Sequence, residues 1–287
     1  MNRTSTANRA RGTAVAVTSG KGGVGKTSLT VNLAAALAAF GHRVGILDGD
    51  FGLGNVDVML GLAPTQHLGG VLTGDELVQD ITMTGPSGIR IVPAGSGIRS
   101  LTALTPNQWD RLRRAVDWLR RDLDVLLIDT APGVSDNVVD LARLTSHVIV
   151  VTSSEPTAIV DAYAMVKLLH GAAPATEIGI IVNDTHADDE GHVVFNQLSM
   201  AATRFLSQTL RYYGSIGHDP RMREAVLAQQ PIVTIDPDAA ASRSYRRLAL
   251  RVANFSPIDP GVSAVLPSNQ PLLTDQELAD LEAPRCA

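Results

Sequence analysis

The sequence predicts an α/β domain built on a doubly wound, mainly parallel sheet flanked by helices. Three observations carry this. Short apolar, β-branched runs alternate with segments of helical period along most of the chain. Several of those runs are almost continuously apolar, as strands covered on both faces must be. A Gly-rich turn joins the first strand to the first helix.

Residues 13–18 (TAVAVT) read as the first strand, and the Ala/Leu-rich residues 26–40 as the helix after the glycine turn. Further strands are expected at 43–48 (RVGILD), 89–93 (IRIVP), 124–129 (DVLLID), 147–152 (HVIVVT) and 177–183 (EIGIIVN), with a weaker one at 213–216. Helices are expected at 105–121, 136–144, 157–170, 191–210, 219–229 and 238–255. In the first of these, Trp109, Leu112, Val116 and Leu119 form one stripe, read as core, which leaves Arg111, Arg113, Arg114, Arg120 and Arg121 on a solvated face. In the last, Tyr245, Leu248, Val252 and Phe255 share a face and are read as core. A membrane-surface helix is the competing reading.

Composition narrows the function. The 287 residues carry a net charge of −5, so the chain has no global basic field for nucleic acid or anionic lipid, which argues against DNA binding. Cys286 is the only cysteine, which excludes disulfides within the chain and metal or cluster sites built from its own cysteines. We find neither a signal peptide nor an apolar run of membrane-spanning length, and expect a cytoplasmic protein. Residues 1–12 are expected to be a flexible basic N-terminus, 13–255 the folded domain, and 256–287 a flexible acidic, proline-containing tail with a capping-box spacing at Thr274 and Glu277.

The strongest motif is Gly20-Lys21-Gly22-Gly23-Val24-Gly25-Lys26-Thr27, which fits G-x-x-x-x-G-K-[ST] between a strand and a helix. Glycines let successive N–H groups turn inward on phosphate oxygens, and the helix start adds its positive end. Lys26 is placed on the terminal phosphates and the Thr27 hydroxyl on Mg²⁺. Only three of the 24 basic side chains are lysines, and two of those stand in this loop, where a slim point charge fits better than a planar fork. Asp48 and Asp50 end the second strand beside the loop, where Mg²⁺ would offset their charge. Asp129 closes the apolar run Val125-Leu126-Leu127-Ile128, a Walker B pattern, and is placed on Mg²⁺ through water. Asn183, at a strand end, has a carboxamide able to read an adenine edge.

The run from Lys21 to Ser28, with its additional early lysine, resembles the deviant Walker A motif of the MinD/ParA family of P-loop ATPases. The resemblance implies hydrolysis of ATP to ADP and phosphate with Mg²⁺, and dimerisation on ATP. It makes Lys21 the signature lysine that reaches the partner subunit's phosphates. It also gives Asp48 to the metal shell, Asp50 to positioning the attacking water, Asn55 to the γ-phosphate side, and Gly133, in a segment like the second switch, to the γ-phosphate. Asp219 and Arg223 resemble the family's adenine-side loop, with Gly217 where proline is usual. For these two and Asn183 an ordinary turn or helix cap stays open.

The stretches 48–62, 155–163 and 223–230 look closest to the FlhG/FleN branch of MinD-like regulators of flagellar number and placement, and the similarity spans residues 13–255. That resemblance implies as partners the flagellar GTPase FlhF, flagellar switch components or a flagellar transcription activator, and a place in the cytoplasm, at the inner membrane or at the cell pole. Residues 1–12 lack the short motif that activates FlhF, and membrane association is left open. ParA-like DNA partition, MinD-like division-site control, and a nucleotide-gated adaptor or anti-activator with little hydrolysis are the competing functions.

Overall fold

A computed structural model of the chain describes residues 11–95 and 104–255. Residues 1–10 of the expected N-terminus, and the whole expected tail with its Thr274–Glu277 capping box, lie outside the described residues.

In chain order the elements are β1 (Thr13–Thr18), α1 (Lys26–Ala39), β2 (Val44–Gly49), α2 (Val56–Met59), α3 (Leu68–Thr73), α4 (Val78–Ile81), β3 (Met83–Thr84), β4 (Arg90–Val92), α5 (Pro106–Asp122) and β5 (Val125–Thr130). There follow α6 (Asp136–Ala142), β6 (His147–Thr152), α7 (Pro156–Ala172), β7 (Glu177–Thr185), α8 (Glu190–Leu206), β8 (Arg211–Gly217), α9 (Arg221–Leu227), α10 (Ile232–Ile235) and α11 (Ala240–Ala253).

The strands form one sheet in the order β3-β4-β2-β5-β1-β6-β7-β8. Every pairing is parallel except the short edge strand β3, which runs antiparallel to β4. The sheet is therefore mixed at one edge and doubly wound elsewhere, as expected. Alternation along the strands divides the core. Val15 and Val17 of β1, with Val125 and Leu127 of β5, face the layer that holds α1 and α11. Leu126 and Ile128 face α5, and Ala16 faces the layer of α6, α7 and α8.

Most expected elements are present, with their ends moved by local chemistry. The helix expected at 191–210 stops at Leu206, because Ser207 takes a left-handed conformation at φ 53 and lets the chain turn into β8. Thr105 and Gln108 form a complete capping box at the start of α5. The short elements α2, α3, α4, α10 and β3 were not expected, since helices of four to six residues and a strand of two carry no readable period.

Two surface readings resolve. Tyr245, Leu248 and Val252 of α11 are buried in the cluster that contains α1, so this apolar face is core and is not available to a membrane. The arginines of α5 are not all solvated: Arg111 donates to the carbonyl of Leu72 at 2.8 Å and Arg120 to that of Gly12 at 2.7 Å, because long guanidinium arms reach neighbouring carbonyls over the helix edge. No helix among the described residues is long and apolar enough to cross a membrane.

Candidate active site

The loop between β1 and α1 closes around Gly25, which caps α1 at φ 91. A side chain is excluded there twice over, because a Cβ would meet Nδ2 of Asn183 at 2.3 Å. At the other end of the loop a Cβ on Gly20 would meet the backbone carbonyl of Asp161 in α7 at 2.1 Å. The loop is thus seated between β7 and α7. The first turn of α1 carries no acidic residue and no side-chain cap, so its N–H groups and dipole are open to an anion.

Lys26 is buried, and its ammonium lies 3.1 Å from Oδ1 of Asp129. The hydroxyl of Thr27 donates to Oδ2 of Asp129 at 2.7 Å, and that of Thr30 to Oδ1 at 3.0 Å. Sequence reasoning missed Thr30. Its signal was positional: it stands one turn after Lys26, on the helix face that carries the lysine.

Asp48 and Asp129 are direct register partners on β2 and β5, so two buried carboxylates stand side by side at the C-terminal end of the sheet. Oδ1 of Asp48 accepts the N–H of Asp50 at 3.1 Å and Oδ2 that of Val56 at 3.1 Å. Burial, and then the negative charge of Asp129, push Asp48 up to about 7. Asp129 is also raised, chiefly by burial, against the opposing pull of Lys26, Thr27 and Thr30. Two buried acids with a single ammonium leave excess negative charge. A divalent cation beside them, with phosphates on Lys26 and the open helix end, fits this donor set.

Asp50 is half-buried, and its Oδ1 accepts the N–H groups of Gly52 and Leu53 at 3.3 and 3.0 Å, which shapes the turn after β2. Asn55 is exposed and donates to the carbonyl of Leu53 at 2.7 Å. Gly23, Gly25, Lys26, Thr27, Ser28, Asp50 and Asn55 line one pocket. The N–H of Gly133, expected at the γ-phosphate, instead donates to the carbonyl of Ser19 at 2.8 Å. A left-handed turn at φ 85 folds it back onto the start of the loop, so in this conformation it must exchange partners to reach a phosphate.

Lys21 does not enter that pocket. Its ammonium is turned sideways onto the carboxylate of Glu155, the residue before α7, and onto Oγ1 of Thr157 at 3.0 Å.

A second pocket, lined among others by Gly25, Ser28, Asn183, Gly217, Asp219, Arg223 and Tyr245, adjoins the first. Asn183 donates Nδ2 to the carbonyl of Val24 at 2.9 Å, tying β7 to the loop. Asp219 is buried with both oxygens engaged, by Arg221 and by the N–H of Ala241, and the hydrogen bonds from Arg221 lower its pKa. This is the turn-and-cap arrangement that the sequence left open, with Arg221 the partner it did not single out. Arg223 lines the pocket from an exposed position.

Residues 11–253 match the ParA family, described as NUBPL iron-transfer P-loop NTPase. The chain belongs to the MinD/ParA family of P-loop ATPases. This MinD/ParA ATPase is 43% identical over 241 residues, 84% of the chain and 86% of the relative, to the antiactivator FleN of Pseudomonas aeruginosa. It is 30% identical over 238 residues, 82% of the chain and 80% of the relative, to the flagellum site-determining protein YlxH of Helicobacter pylori. The septum site-determining protein MinD of Pyrococcus horikoshii, solved in complex with Mg-ADP, has the same fold, with a TM-score of 0.71 at 24% identity over 84% of this chain and 95% of that one.

Proposed function

We propose that this MinD/ParA ATPase is a monomer–dimer switch in the cytoplasm that sets flagellar number or placement. The observation that carries the proposal is the division of labour between its two loop lysines. Lys26 is buried against Asp129 inside the pocket, whereas Lys21 stands outside it on α7. A nucleotide in the pocket has its own lysine already, and Lys21 is left for a second copy of the chain. The FleN and YlxH likeness supports the flagellar assignment.

Bound Mg²⁺ would neutralise phosphate charge beside Thr27, Asp48 and Asp129. Lys26 then exchanges Asp129 for phosphate oxygens, the first turn of α1 and the loop N–H groups hold the remaining charge, and Asp50 orients the attacking water. Asn183 and Arg223 border the base side. Turnover is slow, since the output is a state of assembly. A flagellar GTPase, switch component or transcription activator is the partner class, at the inner membrane or cell pole.

Lys21→Ala should abolish the ATP-dependent increase in mass seen by light scattering while leaving the monomer's melting temperature unchanged, because an exposed ion pair contributes only about 0–1 kcal/mol. A Lys21→Ala protein that still doubles in mass with ATP overturns the switch. Deleting the gene tests the biology: extra or misplaced flagella with normal division are expected, and minicells or anucleate cells with normal flagella move the switch to division or partition. The printed role of FleN, antiactivator, favours a second reading, in which the ATP-bound form sequesters a transcription activator and hydrolyses little. Steady-state phosphate release with and without such an activator separates the two. The iron-transfer activity in the family's description is not carried over, since Cys286 is the sole cysteine of the sequence.

A further inference from the structure

Three side chains that take no part in the phosphate chemistry converge at the far rim of the base-side pocket. Asp184 lies near the end of β7, His186 follows that strand, and His218 follows β8. One ligand atom from each lies within 4.8 Å of the others, and this is the one such group of three among the described residues. Oδ1 of Asp184 is 2.7 Å from Nδ1 of His218, and the two imidazole rings stack with centroids 4.7 Å apart.

The pair is drawn together by the fold. His218 is fixed through its backbone N–H, which donates to the carbonyl of Thr185 at 2.7 Å, and the N–H of His186 is held by the carboxylate of Glu190. All three side chains are exposed, so no desolvation cost opposes a charge among them. A tetrahedral zinc ion sets its ligand atoms about 3.3 Å apart. The 2.7 Å contact between Asp184 and His218 is shorter than that spacing, so an ion takes the place of their hydrogen bond, and no two of the three ligand atoms lie more than 4.8 Å apart.

We propose that Asp184, His186 and His218 form a binding site for a late first-row divalent cation of the zinc class. Two imidazole nitrogens and one carboxylate oxygen select Zn²⁺, Ni²⁺ or Cu²⁺ over the hard, all-oxygen preference of Mg²⁺. Solvent completes the shell. Asp184 and His218 also line the base-side pocket, so the bound ion cross-links the end of β7 to the loop after β8, two walls of that pocket. The site stands apart from the paired acids Asp48 and Asp129 and needs no nucleotide.

The test is calorimetric titration of ZnCl₂ into the full chain, with the His186→Ala/His218→Ala double variant titrated alongside to subtract zinc held elsewhere. The wild type should take up one more equivalent than the double variant, and excess Mg²⁺ should not displace it. Asp184→Asn, which keeps the side-chain size, should weaken that equivalent, because a neutral carboxamide oxygen replaces an anionic ligand. Matching melting temperatures of the metal-free proteins show that the variants fold. Equal stoichiometry and affinity in wild type and double variant overturn the site, and displacement by excess Mg²⁺ overturns the class of ion.

Discussion

Replacing Asp48 by Asn tests the electrostatics of the site without touching its packing. Burial, and then the charge of Asp129, raise this carboxyl from 3.8 to about 7, a penalty of about 4 kcal/mol on its charged form in the fold. The sign follows from the direction of the change. A carboxyl that holds its proton more tightly when folded gives its full stability below pH 3.8, and that stability is lost as pH rises through about 7. Asparagine carries no such titration. The stability of Asp48→Asn relative to wild type should therefore grow by about 2 kcal/mol between pH 5.5 and 8, or about 4–8 °C in melting temperature. Any constant hydrogen-bonding difference between the two side chains cancels in this comparison. Thermal scans across that range, with and without Mg²⁺ and ADP, measure it. The wild type should also gain more from Mg²⁺ and ADP at pH 8 than at pH 5.5, a trend the variant, which keeps Asp129, should show less strongly. A melting-temperature difference that stays flat with pH refutes the buried-charge reasoning.

Three further outcomes follow from the geometry. Gly25→Ala places a Cβ against Asn183 at a backbone angle suited to glycine; it should cost about 1–3 kcal/mol in chemical denaturation and abolish binding of a fluorescent ATP analogue. Thr30→Val removes one donor from Asp129 at nearly constant volume, and should lower denaturation stability by about 1–3 kcal/mol; an unchanged midpoint removes Thr30 from the site. Asp50→Ala should slow phosphate release while prolonging the ATP-bound dimer, and undiminished release in single turnover takes Asp50 out of the reaction.

The phosphate loop and its acids were legible because each is a short local pattern whose meaning depends on the strand or helix beside it, and those elements had clear periods. The register that sets Asp48 beside Asp129 was not legible, since it depends on the order β2-β5-β1. Nor were the partners of Asp219, since Arg221 belongs to a local turn and Ala241 to a distant helix start. The sideways course of Lys21 depends on α7 passing close enough to the loop to exclude a side chain at Gly20. The sequence pattern of α11 allowed core or membrane, and only its packing on α1 decides.

That packing also bears on how the protein is made. The base-side pocket takes Gly25 and Ser28 from the first βα unit and Tyr245 from α11, the last described helix. Synthesis runs from the N-terminus at about 5–20 residues per second, so the phosphate loop leaves the ribosome well before the helix that completes its far wall. A chain interrupted before α11 has the motif but not the finished pocket. A nucleotide that spans both pockets therefore touches the first helix and the last described one at once.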